Sequence, residues 1–125
     1  MKSGDFKKKN THAHRKQESE LIREKYPDRV PVIIEQGNSW DHSPLDKAKY
    51  LVPSDVTIYH LQYILRKRVK MTDRESIFLF CGQNMVKSDT LISKLYESKR
   101  DPDGFLYMTY SQESVFGSVI HAQGL

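Results

Sequence analysis

The residues best suited to chemistry lie near the end of the chain. Phe105-Leu106-Tyr107-Met108-Thr109-Tyr110 reads as a strand: aromatic and branched side chains fill it, and the turn signal Asp101-Pro102-Asp103-Gly104 precedes it. Ser111 to Phe116 loses that pattern and leads to Gly117. The eight residues that follow, Ser118 to Leu125, carry no formal side-chain charge and are too short to build a layer of their own. A buried strand, an extended polar arm and a glycine make a shape that an enzyme can grip and cut. Glycine brings no Cβ into a narrow channel, and its carbonyl is unhindered. Gly124-Leu125 imitates such a site a second time.

Other reactive types are poorly placed. His12 and His14 have no cysteine or third histidine nearby to close a structural metal site. Cys81 sits in an apolar run, where a thiol loses reactivity, and reads as packing rather than as a nucleophile. As the only cysteine it excludes an internal disulfide and fits a reducing compartment. No glycine-rich phosphate loop and no Ser/His/Asp spacing stands out.

The body that presents these residues is bounded by simple numbers. A chain of 125 residues with 38% hydrophobic content reads as one soluble domain with an independent core. No apolar run reaches the ~18 residues of a spanning helix, and no apolar segment follows the basic N-terminus as in a secretory signal. Net charge is +4, unevenly spread. Residues 1–16 hold Lys2, Lys7, Lys8, Lys9, Arg15 and Lys16 against Asp5 alone, a net of +5. Such an arm can touch anionic lipid, nucleic acid or acidic protein, or remain a solvated tail. Without apolar periodicity it is expected to be weakly ordered.

From Gln17 the pattern is helical, with Leu21, Ile22 and Tyr26 on one stripe and Pro27 as the stop. Val30 to Glu35 is a nearly continuous apolar strand ended by Gly37, with Pro31 near its start. Asn38 to Pro44 is a polar loop around Trp40. Lys49-Tyr50-Leu51-Val52-Pro53 alternates, Lys49 and Leu51 one way, Tyr50 and Val52 the other. Its terminal charge and proline suggest an edge strand. Thr57 or Asp55 can cap a long helix whose buried stripe is Ile58, Leu61, Ile64, Leu65 and Val69. Ile77 to Cys81 is a buried central strand by composition, and Gly82-Gln83-Asn84 turns it into Met85-Val86. Asp89 or Thr90 can cap a short helix carrying Leu91, Ile92, Leu95 and Tyr96. From Val30 onward this order is that of an α+β ubiquitin-like β-grasp, a mixed sheet of four or five strands wrapped on a long helix. The first and last strands should lie side by side in its centre.

Four blocks carry a resemblance: Tyr26-Pro27-Asp28-Arg29-Val30-Pro31-Val32-Ile33, Asp46 to Pro53, Arg66-Lys67-Arg68, and Glu113-Ser114-Val115-Phe116-Gly117. They resemble the autophagy ubiquitin-like modifiers, the family of the GABA-A-receptor-associated protein and the microtubule-associated light chain 3, with wording closer to the first branch. The resemblance runs from about Glu18 to Gly117. It divides the chain into an N-terminal arm and helix (1–26), a ubiquitin-like domain with its tail (27–117) and a propeptide (118–125). It implies that a cysteine protease cuts between Gly117 and Ser118, with Phe116 preceding the cut. Activating and conjugating enzymes then pass the Gly117 carboxylate to phosphatidylethanolamine. The tail beyond Gly117 is longer than the residue or two usual in the family, and Thr11-His12-Ala13-His14 stands where proline and phenylalanine are expected.

The resemblance also implies binding to cargo receptors and adaptors through extended aromatic-x-x-aliphatic segments added to the Lys49–Pro53 edge. By resemblance the aromatic pocket is Glu18, Ile22, Pro31, Lys49, Leu51 and Phe105. The aliphatic pocket is Tyr50, Val52, Pro53, Val56, Leu61, Ile64 and Leu65. Lys25, Arg29, Lys47 and Arg68 meet acidic residues of the motif. The protein is then a substrate and adaptor rather than an enzyme. It needs no cofactor beyond the covalent lipid, and works in the cytoplasm and, once lipidated, on the autophagosomal membrane. A rival of another class is an unprocessed basic protein whose arm binds microtubules or nucleic acid. The sequence offers that rival no aromatic-basic interleaving.

Overall fold

Val30 to Ile34 are apolar without a break, and strand β1 (Arg29–Gln36) that they form is buried on both faces. The computed structural model describes residues 2–38, 40, 42–72 and 74–112. β1 belongs to a five-stranded sheet with β2 (Lys49–Pro53), β3 (Phe78–Cys81), β4 (Asn84–Met85) and β5 (Leu106–Ser111), ordered β2-β1-β5-β3-β4. β1 and β5 run parallel at the centre, and β2 is an edge, both as the sequence implies. Helices α3 (Ile58–Arg68) and α4 (Ile92–Lys99) cover one face. The fold is the expected ubiquitin-like one, with an N-terminal helical part. β3 is interior to the sheet, as its composition suggests, between β5 and the two-residue β4.

The alternation of β1 splits the core in two. Val30, Val32 and Ile34 pack with Ile58, Leu61, Leu65 and Leu106 on the α3 side. Ile33 packs on the other side with Phe6, Ala48 and Phe105. Each fully buried aliphatic or aromatic side chain here contributes roughly 1.5–3 kcal/mol of transfer free energy. Thr57 caps α3, its hydroxyl accepting from His60 N at 3.2 Å. Of the stripe expected on α3, Ile58, Leu61, Leu65 and Val69 are buried, but Ile64 is 37% exposed. α4 has no side-chain cap. Leu91 takes the capping position because Thr57 and Leu91 form a β-bridge, and Ile58 N bonds Thr90 O at 2.9 Å.

The N-terminus departs furthest from expectation. It is not weakly ordered: residues 5–9 form helix α1 (Asp5–Lys9), and α2 (His12–Lys25) begins five residues before the apolar pattern does. Two remote carboxylates hold these helices. Glu35, 3% exposed on β1, accepts from Gly4 N at 3.2 Å and Phe6 N at 2.9 Å. Asp103, fully buried, accepts from Arg15 Nη1 at 2.5 Å, Tyr107 OH at 2.5 Å and Phe105 N at 2.8 Å. The inward face of α2 is therefore Arg15, Ser19 and half-buried Ile22, while Leu21 is 58% exposed and Tyr26 lies at the surface. Ser19 Oγ donates to Asp103 O and packs where a side chain on Gly104 would stand. Gly104 has φ +92°, so glycine meets two requirements of this contact at once.

Candidate functional site

The site begins with an unpaired strand edge. Ile34 N donates to Ala48 O at 2.8 Å, so the even-numbered residues of β2 face β1. The backbone N–H and C=O of Lys49 and Leu51 are then turned to the open edge. Leu51 O accepts from Arg29 Nη1 at 3.1 Å, which covers part of that edge with a cation. A carbonyl has a second lone pair, so the contact narrows the edge without closing it.

On the α3 face Tyr50 and Val52 open into a hollow of about 190 Å³ lined also by Leu51, Pro53, Val56, Leu61, Ile64 and Leu65. All seven residues assigned to the aliphatic pocket by resemblance thus come together. Tyr50, Val52, Leu61 and Leu65 form the floor, and exposed Pro53 and Ile64 form the rim. The rim is cationic: Lys47 Nζ lies 5.1 Å and Arg68 Cζ 5.7 Å from the Tyr50 ring centroid. Tyr50 OH donates to Lys47 O at 3.0 Å. Burial pushes the Tyr50 hydroxyl up to about 12, against the opposing pull of Arg68, so it stays neutral.

On the α2 face the six residues assigned to the aromatic pocket are differently disposed. Glu18 on α2 and Lys49 on β2 form an ion pair across the gap, beside half-buried Ile22 and Leu51. Pro31 is buried, and Phe105 is 0% exposed beneath Phe6, whose ring meets it edge-on at 5.4 Å between centroids. Phe105 therefore presents no surface, a correction to its assignment, made because the arm supplies a covering ring. Lys25 is exposed and its Nζ lies 5.5 Å from the Tyr26 ring centroid. Phe6, Arg15, Ser19, Glu35 and Asp103 position this face, and pattern reading missed all five. Only the i, i+4, i+7 spacing of Arg15, Ser19 and Ile22 hints at it.

The remaining candidates stay apart from this edge. His12 and His14 are exposed in the first turn of α2, and among the described residues no three His, Cys, Asp or Glu are grouped to hold a metal. Burial pushes the Cys81 thiol up to about 11, slightly offset by Lys99, which suits an inert packing role. Phe116, Gly117, Ser118 and Gly124 lie outside the described residues.

A family model described as autophagy protein Atg8, ubiquitin-like, matches residues 14–117. This chain belongs to the Atg8 family. The autophagy-related protein 8a of Arabidopsis thaliana is 46% identical over 119 residues, covering 95% of this chain and 98% of the relative. The autophagy-related protein 8 of Schizosaccharomyces pombe is 46% identical over 114 residues, 91% and 94% of the two chains. Among solved structures, Trypanosoma brucei ATG8 superposes with a TM-score of 0.84 at 36% identity, covering 93% of this chain and all of that one. The Atg8 membership makes this an autophagy protein of ubiquitin-like fold.

Proposed function

We propose that this chain is a conjugated modifier: cut after Gly117, joined through the new carboxylate to phosphatidylethanolamine, and displayed on autophagosomal membranes to gather cargo receptors. The observation that carries the docking half is the apolar hollow beside an open strand edge, rimmed by Lys47 and Arg68. A segment added to β2 gains main-chain hydrogen bonds at the edge. Side chains three apart on that segment point to opposite faces. One enters the hollow, and the other lies against Ile22, Leu51 and the Glu18–Lys49 pair. Lys25, Arg29, Lys47 and Arg68 favour acidic neighbours in the segment.

The end of the family match at residue 117 supports processing there. The work of cutting, activating and conjugating belongs to a cysteine protease and to activating and conjugating enzymes. The chain is their substrate and performs no catalysis of its own. No helix among the described residues is long and apolar enough to cross a membrane, so attachment comes from the lipid. Two acyl chains, at roughly 0.8 kcal/mol per buried methylene, hold the protein more firmly than its basic arm, at about 1 kcal/mol per cation.

Three measurements test this. Tyr50→Ala with Leu51→Ala should abolish receptor-peptide binding in calorimetry and leave lipidation intact; equal affinity of two folded proteins would sink the docking half. Gly117→Ala should block processing and conjugation; lipidation of that variant, with failure of Gly124→Ala, would move the site. An intact Leu125 terminus on protein from its own cells, under all conditions, would favour the unprocessed basic interaction protein.

A further inference from the structure

We infer that the uncut C-terminal segment of one copy occupies the β2 edge of a second copy, and that cleavage after Gly117 destroys this ligand. The inference rests on the docking role proposed above and names a regulator of the same site. The edge asks for an extended segment with a bulky apolar side chain for each face, three residues apart, a spacing that places them on opposite sides of a strand. Phe116 and Val119 have that spacing. Between them stand only Gly117 and Ser118, which add no bulk. Val119 suits the hollow over Tyr50 and Leu61, and Phe116 suits the face of Ile22 and Leu51. Glu113 is the sole charged side chain after Gln112, three residues before Phe116, and the edge is flanked by Lys25, Arg29, Lys47 and Arg68.

Reach decides between the chain's own edge and a partner's. Tyr110 stands opposite Gln36 and Lys49 opposite Ile33, so Gln112 lies five residues beyond the level of Lys49 and three strand spacings from a strand docked on β2. That separation is about 22 Å, whereas the four residues from Gln112 to Phe116 span at most about 14 Å. The tail therefore serves a second copy. Scission of the Gly117–Ser118 peptide bond by water leaves Phe116 on one product and Val119 on the other. Neither fragment can fill both faces, so processing frees the edge for receptors.

The test uses the full 125-residue chain. Sedimentation velocity should show association that grows with concentration and is lost in Phe116→Ala, in Val119→Ser and in Tyr50→Ala with Leu51→Ala. In parallel, an acidic aromatic-x-x-aliphatic peptide is titrated into concentrated wild type and Phe116→Ala. By mass action the variant should bind it about threefold more tightly or better. If the peptide binds both equally and the wild type stays monomeric, the tail is not the occupant, while the docking reading stands. If association survives in both tail variants, the contact lies elsewhere and the inference is overturned. If the peptide binds neither protein, the docking reading falls and the inference falls with it.

Discussion

The two faces of β2 are built from opposite materials. Toward α3 the strand presents Tyr50 and Val52 to an apolar floor, and the hollow between them and Ile64 is open. Toward α2 it presents Lys49 and Leu51 to Glu18 and Ile22, and an ion pair spans the gap. The first face is shaped by local pattern: a helix stripe packed on alternating strand residues. The second depends on buried polar contacts between residues 88 and 84 positions apart, Arg15 with Asp103 and Ser19 with Asp103. A ligand can enter the first face without displacing a polar contact, whereas at the second it must compete with the Glu18–Lys49 pair or share its partners. The α3 face supplies apolar affinity, and the α2 face imposes an electrostatic condition on entry.

That contrast can be broken in graded ways. The largest effect is expected from Asp103→Ala, which leaves the Arg15 guanidinium buried without its carboxylate. It should cost about 3–5 kcal/mol in urea unfolding, and a loss below about 1 kcal/mol would mean that α2 is held by something else. Next is Phe6→Ala, which uncovers Phe105. It should cost about 3 kcal/mol and speed proteolysis within residues 1–16, while chemical shifts of Leu61 and Leu65 stay put. On the other face Ile64→Ala removes a half-exposed rim residue. Stability should change by no more than about 0.5 kcal/mol, yet receptor-peptide affinity should fall roughly tenfold, about 1.4 kcal/mol. The smallest effect belongs to Glu18→Gln. An exposed pair contributes about 0.2–1 kcal/mol, so stability should barely move. Freeing Lys49 should raise affinity for an acidic peptide a few-fold and steepen its salt dependence. An unchanged salt slope would show that Lys49 is not reached by the ligand.

The α3 side was legible because its information is periodic. Ile58, Leu61 and Leu65 repeat at helical spacing, Lys49 to Pro53 alternate, and Pro53 with Lys49 marks an edge; each signal sits within a few residues of what it predicts. Ile64 was misplaced because helical spacing fixes a stripe but not its width. The α2 side was not legible. A five-residue helix such as α1 has no period, and the carboxylates that receive α1 and α2 come from β1 and from a turn. Asp103 reads in sequence as a turn former, and nothing local shows that a guanidinium 88 positions away will neutralise it. Leu21, Ile22 and Tyr26 share an apolar stripe in the sequence, but the inward face of α2 goes to Arg15, Ser19 and Ile22, because Arg15 and Ser19 find a buried partner in Asp103. The tail was legible only as chemistry, as a glycine beyond a strand.

The central position of β5 has a mechanical consequence. Any pull applied through the tail loads β5 along its own axis. β5 pairs with β1 in parallel over five residues and with β3 antiparallel over three, so its bonds bear the load together, in shear, rather than opening one after another. A partner held at the β2 edge pulls on the opposite end of the same load path, through β2 and β1. A molecule tethered at its tail and loaded at that edge would thus transmit tension through its stiffest elements, and α3 and α4, which lie off this line, would feel little of it.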